Sequence, residues 1–384
     1  MADTVLEFGV LGSLQVTSDG NALPLGTPKQ RAVLAMLIIN RNRPVGIDAL
    51  IAAAWEQRPP SGVRASLHTY VSNVRRLLTG AGESRQTALA SAPPGYRLTI
   101  PDDRCDLSRF VLAKRAGVQA AAAGRFQEAS DHLSAALAEW RGPVLDDLRE
   151  FQFVESIASA LTEDKLMVHT ARAEAEIACG RAAMAISELE GLSIEHPYLE
   201  PLWAQLITAY YLADRQSDAL QAYRRLKTVL AEDLGIDPSP RLRALHEQVL
   251  GQKPIDAKQA AQTSAASSAT AIEQRTAVTD RAAIAWLRDS SGRCLPLQAV
   301  ATRIGRRPEN DIVLSDANVS RHHAVIVDTG TTFLITDLRS ANGVEVEHQR
   351  IRPSASLNHG DHIRICDHEF TFEMHTRSED PDIA

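Results

Sequence analysis

The sequence predicts a multidomain α+β protein with three consecutive parts. Within residues 1–104, short alternating segments bounded by turns surround three stretches with helical periodicity. Residues 105–252 are rich in Ala, Leu, Glu and Arg and are helical in character almost throughout. Alternation of apolar residues returns in residues 281–384, beyond a small, polar stretch at 253–280. We therefore expect a mixed domain, an all-α domain, a linker and an all-β domain.

Composition agrees with a folded protein of two or three domains. The chain has 384 residues, of which 44% are hydrophobic and 23% charged. The N-terminus lacks the pattern of a signal peptide, and no run of 18 apolar residues occurs, so we expect a cytoplasmic protein without membrane insertion. The four cysteines lie far apart without a CxxC pair, which predicts free thiols and no metal site.

Charge is distributed unevenly along the chain. The first 100 residues contain ten Lys and Arg against six Asp and Glu, a net charge of +4, so the rest carries −11 of the total of −7. A basic end on an acidic protein predicts that this end binds a polyanion.

The first domain has the pattern of a winged helix-turn-helix. Strand-like segments lead to Thr27 and Pro28, which suit the N-cap and first position of a helix. A second helix is predicted at about 46–55, and a third at about 64–78, followed by a hairpin that ends near Ile100. The third helix carries its apolar residues at helical spacing and is predicted to read the major groove. Its core positions are Leu67, Val71, Val74 and Leu78.

Polar side chains on the third helix are the candidate DNA contacts, because they can bond to base edges or phosphates. They are Arg64, His68, Thr69, Ser72, Asn73, Arg75 and Arg76. Lys29, near a helix N-terminus, and Arg97, in the wing, are expected to contact phosphates. Periodicity and charge alone leave open a solvated polar face on a small helical domain.

Three segments carry a family resemblance. GTPKQRAVLAMLIINRNRPV, SLHTYVSNVRRLL and PPGYRL resemble the OmpR-type winged helix of the SARP regulators, the Streptomyces antibiotic regulatory protein family. The resemblance covers nearly all of residues 5–100. It implies that this domain binds promoter DNA, generally at direct repeats.

The helical region contains three similar turns, at Gly124, Gly180 and Asp214. The last two are 34 residues apart, the tetratricopeptide period. With the segment AEDLGIDP, this region resembles the bacterial transcriptional activation domain of SARPs. A helical solenoid usually offers a concave surface to a protein, so RNA polymerase or a second copy of the chain is the expected partner. The sequence has no nucleotide-phosphate loop, HExxH or GxSxG, which argues against an enzyme and predicts no cofactor.

Residues 253–280 cannot bury a core, so they predict a connector that is flexible at least in part. The β-rich part that follows shows apolar alternation typical of a sandwich. The alternating residues are Val325, Val327, Phe333, Ile335, Ile363, Ile365, Phe370 and Phe372.

Three motifs lie between these strands: Gly305-Arg306, Ser320-Arg321-His322-His323 and Asn342-Gly343. Their order and spacing resemble the forkhead-associated (FHA) module, a β-sandwich that binds phosphothreonine peptides through loops at one end. Taken singly, each is also an ordinary turn sequence on a structural β-sandwich.

The residue types suit a phosphate. Arg306 can take two phosphate oxygens in its planar fork, Ser320 adds a hydroxyl donor and Arg321 adds charge. Asn342 has the donor and acceptor needed to pair with an extended peptide backbone. Gly305 and Gly343 permit tight backbone geometry, and His323 is expected to support the loop. 

One position departs from the FHA pattern. A Ser or Thr usually precedes the Asn-Gly, but here the residue is Ala341. The missing hydroxyl predicts weaker phosphopeptide binding, because one hydrogen bond to a charged group contributes about 1.5–3 kcal/mol.

The order of a SARP-type winged helix, a helical activation domain and an FHA module resembles the EmbR-type regulators of mycobacteria. The resemblance implies a transcription factor that is controlled by a membrane Ser/Thr protein kinase and linked to cell-wall arabinan synthesis genes. Promoter DNA and the phosphorylated kinase are then the expected partners. The alternative is a phosphopeptide-binding scaffold whose winged helix has lost DNA binding.

Overall fold

A computed structural model describes residues 5–56, 59–80, 88–279, 284–297, 301–308, 310–329, 333–351 and 354–375. The chain divides into two compact units. Unit 1 comprises Met1–Leu112, Ala138–Asp164 and Ala271–Ala384, and unit 2 comprises Ala113–Leu137 and Lys165–Thr270. Among the described helices, none combines the length and apolar character needed to cross a membrane.

The N-terminal part of unit 1 is a winged helix-turn-helix, as predicted. Its elements are β1 (Leu6–Gly9), β2 (Gln15–Ser18), β3 (Asn21–Ala22), α1 (Pro28–Ile39), β4 (Val45–Gly46), α2 (Ile47–Trp55), α3 (Val63–Gly80), β5 (Ala88–Ala92) and β6 (Gly95–Thr99). The first three strands form an antiparallel sheet, and β4-β6-β5 form the sheet of the wing.

Local sequence explains where these helices lie. The Thr27 hydroxyl accepts a hydrogen bond from the Gln30 amide at 3.4 Å, which caps α1, and Pro28 occupies the first turn. In α3, the predicted core stripe is almost completely buried, with exposed fractions of 0–1%. These four residues are Leu67, Val71, Val74 and Leu78. On the opposite face of α3, Thr69, Ser72 and Arg76 are exposed.

The central region is helical, as predicted. Its helices are α4 (Asp106–Ala122), α5 (Phe126–Ala138), α6 (Gln152–Ala178), α7 (Ala182–Glu195), α8 (Glu200–Leu212), α9 (Gln216–Val229) and α10 (Pro240–Leu250). The predicted turns join the pairs α4–α5, α6–α7 and α8–α9.

The three turns share one geometry. Gly124, Gly180 and Asp214 have φ angles of 74°, 80° and 59°. In each turn, the amide of the following arginine donates to the carbonyl five residues earlier, at 2.9, 3.0 and 2.9 Å. This is the hydrogen bond of a helix that ends in a left-handed residue. The repeated geometry explains why the turns look alike in sequence.

The expectation of a flexible connector is wrong over Ala257–Thr279, which form a helix, α11. Composition suggested a solvated coil because large apolar residues are scarce. Alanine has the highest helix propensity, however, and Ala261, Ala265 and Ala269 lie on one face and are buried. The predicted boundary between residues 280 and 281 lies outside the described residues.

The C-terminal part of unit 1 is a β-sandwich, as predicted. Its strands are β7 (Ile284–Asp289), β8 (Cys294–Leu297), β9 (Ala301–Gly305), β10 (Ile312–Val313), β11 (Ala324–Asp328), β12 (Phe333–Asp337), β13 (Val344–Val346), β14 (Gln349–Arg350), β15 (Ser354–Leu357), β16 (His362–Ile365) and β17 (His368–His375). They form sheets of order β10-β9-β11-β12-β15 and β14-β13-β16-β17-β7-β8.

The apolar residues of β11 are buried on two different faces of the sheet. Val325 and Val327 are buried, but on the side of the sheet that faces away from the sandwich core. Ala324 and Ile326 fill the core instead. All five residues of β11 are buried because both faces of the strand are covered.

Candidate functional site

The three FHA motifs lie in loops that hydrogen bonds connect. Gly305-Arg306 ends β9, Ser320 to His323 precede β11, and Asn342-Gly343 precede β13. The Arg306 amide donates to the Ser320 carbonyl at 3.1 Å. The Ser320 hydroxyl oxygen accepts from the Ala341 amide at 3.1 Å. The structure therefore brings the three motifs to one end of the sandwich.

His323 joins two of these loops from inside the domain. Its ring is fully buried, its Nδ1 accepts from the Ser320 amide at 3.0 Å, and its Nε2 lies 3.0 Å from the Gly343 carbonyl oxygen. Because a carbonyl only accepts, Nε2 carries the proton and the ring is neutral with this tautomer. His323 thus supports the loops and does not reach the surface.

Both glycines are required by geometry. A Cβ on Gly305 would overlap the carbonyl oxygen of Arg321, so only glycine permits this close approach of two loops. Gly343 has a φ of 78°, in the left-handed region, and a Cβ there would overlap the Arg350 side chain. Arg350 therefore lies against the Asn342-Gly343 loop.

The exposed side of the loops offers donors to an anion. Arg306 and Arg321 are exposed, and neither guanidinium forms an ion pair within the described part of the chain. The Ser320 hydroxyl oxygen accepts a hydrogen bond from the Ala341 amide, so the hydroxyl proton stays available to a ligand. Two exposed guanidinium groups and a hydroxyl donor on connected loops are side chains that suit a phosphate ester.

Asn342 is exposed and held in a fixed orientation. Its Nδ2 donates to the Asn318 carbonyl at 2.8 Å and lies 3.7 Å from the Cys366 sulfur. Burial raises the pKa of the Cys366 thiol, which itself donates to the Asn318 carbonyl at 3.2 Å. Within the described residues, Oδ1 of Asn342 accepts no hydrogen bond, so it can accept one from a peptide amide.

Sequence reasoning missed three residues of this site. Asn310 is buried, and its Nδ2 donates to the carbonyls of Arg307 and Arg321 at 2.8 Å each. The Ser340 hydroxyl accepts from the Gly343 amide at 2.9 Å. Arg350 adds a third cation next to Asn342. The sequence contained a signal for Asn310, since it is the only Asn in the segment between Gly305-Arg306 and the next strand.

The candidate DNA face lies on α3. Arg64, His68, Thr69, Ser72 and Arg76 are exposed along the helix. Arg64 lies 3.3 Å from Asp48, an exposed ion pair that contributes little. The His68 Nδ1 is 2.7 Å from the hydroxyl oxygen of Tyr96 in the wing. The face therefore combines side chains that can form hydrogen bonds to base edges with positive charge.

Two predicted DNA contacts are engaged within the protein. Arg75 is half-buried and donates to the Leu89 carbonyl at 2.9 Å and to the Ser91 hydroxyl at 3.1 Å, which ties α3 to the wing. Asn73 is also half-buried, and its Nδ2 donates to Gln30 at 3.0 Å. The structure thus gives Arg75 a supporting position, while Asn73 remains at the edge of the face.

The two predicted phosphate contacts outside α3 are exposed. Lys29 lies in the first turn of α1, with its Nζ 5.5 Å from the centre of the Trp55 ring. Arg97 lies on β6 of the wing. Both leave their charge on the surface.

Within unit 1, the FHA sheet packs against α6 and the loop after α1. Val325, Val327 and Leu334 of β11 and β12 contact Ala160 of α6. Arg43, from the loop after α1, lies 3.3 Å from Asp328, whose side chain is only 7% exposed. Burial lowers the pKa of Arg43. The strands that hold the FHA loops therefore also contact the helix-turn-helix domain.

Comparison with known families assigns each region. Residues 20–98 match the family model "Transcriptional regulatory protein, C terminal", residues 105–250 match "Bacterial transcriptional activator domain", and residues 302–366 match "FHA domain". The chain is 69% identical to the transcriptional regulatory protein EmbR of Mycobacterium tuberculosis over 370 residues, 96% of this chain and 95% of EmbR.

The chain belongs to the EmbR family of transcriptional regulators. The solved structure of M. tuberculosis EmbR in complex with a low-affinity phosphopeptide matches with a TM-score of 0.94 and 68% identity, over 96% of this chain and 98% of the chain in that structure. A second relative, the transcriptional regulatory protein MoaR1 of M. tuberculosis, is 54% identical over 252 residues, 65% of this chain and 81% of MoaR1. Like EmbR, the chain combines a DNA-binding winged helix, a helical activator domain and a phosphopeptide-binding FHA domain.

Proposed function

We propose that this protein regulates promoters under the control of a Ser/Thr protein kinase, and that the genes it controls serve cell-wall arabinan synthesis. The FHA domain docks on a phosphothreonine of the autophosphorylated kinase, which brings the regulator within reach as a substrate. The winged helix binds the promoter. The 69% identity to EmbR supports this reading.

The proposal that the FHA domain binds phosphothreonine rests on one observation. Three loops, joined by the Ser320 contacts to Arg306 and Ala341, carry two exposed arginines that form no ion pair within the described residues, and a Ser320 hydroxyl whose proton is available to a ligand. In this reading Arg306 and Arg321 bind the phosphate, Ser320 donates to it, and Asn342 pairs with the peptide backbone.

DNA recognition is assigned to the exposed face of α3 and its flanks. Thr69, Ser72 and Asn73 are the candidates for base contacts, because their side chains donate and accept hydrogen bonds. His68 and the cationic residues contact DNA phosphates in this proposal. The cationic residues are Lys29, Arg64, Arg76 and Arg97, whereas Arg75 supports the wing.

The experiment for the kinase half uses the full chain and the autophosphorylated kinase domain. A pull-down should recover the regulator with the phosphorylated kinase and not with a phosphatase-treated sample. The regulator should also become phosphorylated faster than its Arg306→Ala variant. Equal phosphorylation of both proteins would refute docking through the FHA domain.

The alternative is a scaffold that binds phosphopeptides without binding DNA. Gel retardation of a promoter duplex discriminates between the two functions. The full chain is needed, because the amides of Val10 and Leu11 donate to Asp106, which lies outside residues 1–104. A fragment that ends at residue 104 would lose these buried contacts.

For the helical domain we propose RNA polymerase or a second copy of the chain as partner. A helical repeat gains its binding surface from stacked pairs, as α4–α5, α6–α7 and α8–α9 provide. Sedimentation of the chain alone and with RNA polymerase separates these two possibilities.

A further inference from the structure

Helix α11 lies across successive helix pairs of unit 2. Ala265 packs in a cluster with Ala120 and Ala121 of α4, Ala129 of α5 and Ala175 of α6. This cluster contains only alanines among its fully buried members. The close approach of α11 therefore depends on the absence of larger side chains on both sides.

A second contact extends the same interface. Ala261 packs with Phe126 of α5 and Ala178 of α6. The Gln262 side chain donates to the Ala122 carbonyl at the end of α4, at 3.1 Å. Residues 261–265 are thus in contact with the first two helix pairs.

Glu174 of α6 connects α11 to the third pair. Its Oε1 accepts from the Ser264 hydroxyl at 3.3 Å and from Nε2 of Gln205, on α8, at 2.8 Å. Burial raises the pKa of Glu174 to about 7, against the lowering effects of the Ser264 hydrogen bond and the Arg241 charge. Above that pH the interface contains a buried carboxylate, which is costly.

Residues 257–270 of α11 offer only small apolar side chains for packing. Between residues 257 and 270, alanine is the only apolar residue type. Stabilisation by burial scales with the apolar area removed from water, and a methyl group buries little. By contrast, α8 buries Leu202, Trp203 and Leu206 in the same unit. The contact of α11 is therefore specific in shape and weak in energy.

Helical repeats bind partners on the surface that successive pairs build together. In this chain, α11 occupies such a surface in the way a bound helix does. We infer that residues 257–270 are an internal ligand of the helical repeats, which is displaced by a partner helix with small residues at every fourth position. While α11 is bound, this surface is closed to the partner.

The test uses the full chain with Ala265→Glu, and Ala266→Glu as its matched control. Both substitutions add the same side chain to α11, but Ala265 is buried and Ala266 is exposed. Amide hydrogen exchange of residues 257–270 is measured by mass spectrometry. Ala265→Glu should speed exchange of these amides about tenfold or more, and Ala266→Glu should leave it at the wild-type rate.

A fluorescein-labelled peptide of residues 255–271 then probes the vacated surface. It should bind the Ala265→Glu variant in fluorescence anisotropy, and bind neither the wild type nor Ala266→Glu at the same concentration. Wild-type exchange in Ala265→Glu would overturn the inference. So would rapid exchange without peptide binding in a variant that keeps the circular dichroism of the wild type.

Glu174→Gln tests the same contact without disturbing its packing. The amide oxygen still accepts from Ser264 and Gln205, but the buried charge is removed. Above neutral pH, exchange of residues 257–270 should become slower than in the wild type. Unchanged or faster exchange would overturn the inference, and this result stands even if Ala265→Glu fails to fold.

Discussion

Replacing Arg306 with alanine removes the side chain best placed to bind the phosphate. Arg306 is exposed and has no carboxylate partner among the described residues, so the substitution should leave the folded domain intact. The substitution keeps the hydrogen bond from the backbone amide of residue 306 to the Ser320 carbonyl. The substitution should therefore lower the affinity for the phosphopeptide and leave the stability of the domain unchanged.

The magnitude follows from the bonds removed. A hydrogen bond to a charged group contributes about 1.5–3 kcal/mol, and each 1.4 kcal/mol is about tenfold in Kd. Since Arg306 is solvated, we count one such bond and expect Kd to rise by about 10- to 100-fold. Isothermal titration with a phosphothreonine peptide from the kinase measures the change.

The control is Arg307→Ala, which removes the same charge one residue further along the loop. The Arg307 side chain is exposed, and only its carbonyl oxygen is tied, to Asn310 at 2.8 Å. Its substitution should change Kd by less than about threefold, the effect of a screened surface charge. Equal losses for the two variants would mean that general positive charge, and not a directed contact, binds the phosphate.

Three further predictions concern binding and stability. Ala341→Ser should lower the Kd of the phosphothreonine peptide by about tenfold, because it adds a hydrogen-bond donor next to the Ser320 hydroxyl. An unchanged Kd in the same titration would show that this position does not reach the phosphate. Arg76→Ala should reduce the slope of log K for promoter DNA against log salt by about 1, whereas Arg149→Ala, at an exposed arginine outside the predicted DNA contacts, should not; equal slopes in filter binding would place the DNA surface elsewhere. His323→Phe removes the hydrogen bonds to the half-buried Ser320 amide and to the Gly343 carbonyl, at about 1–3 kcal/mol each; calorimetry should show a lower melting temperature, and an unchanged one would deny His323 its supporting role.

Prediction from sequence worked best where the determinants are local. The cap at Thr27, the core stripe of α3 and the three helix-pair turns each depend on residues a few positions apart, and the structure has them as predicted. The three FHA motifs likewise predicted the positions of the binding loops, because motifs that lie between successive strands fall in the loops at the ends of a sandwich.

Contacts between distant parts of the chain left no such signal. Arg43 and Asp328 are 285 positions apart, and nothing in either segment marks the pair. The second buried face of β11, with Val325 and Val327, arises from the same packing, and the apolar alternation along the strand did not indicate it. The helical state of α11 depends on alanines of α4, α5 and α6 that the local composition does not reveal.

The central claim is that one chain binds both promoter DNA and phosphothreonine. The most direct measurement retains the full chain on an immobilised promoter duplex and then adds the kinase-derived peptide with either phosphothreonine or threonine. We expect salt-sensitive retention of the wild type, binding of the phosphothreonine form alone, and loss of that binding in Arg306→Ala. A chain that is not retained by the duplex, or that responds equally to both forms of the peptide, would contradict it.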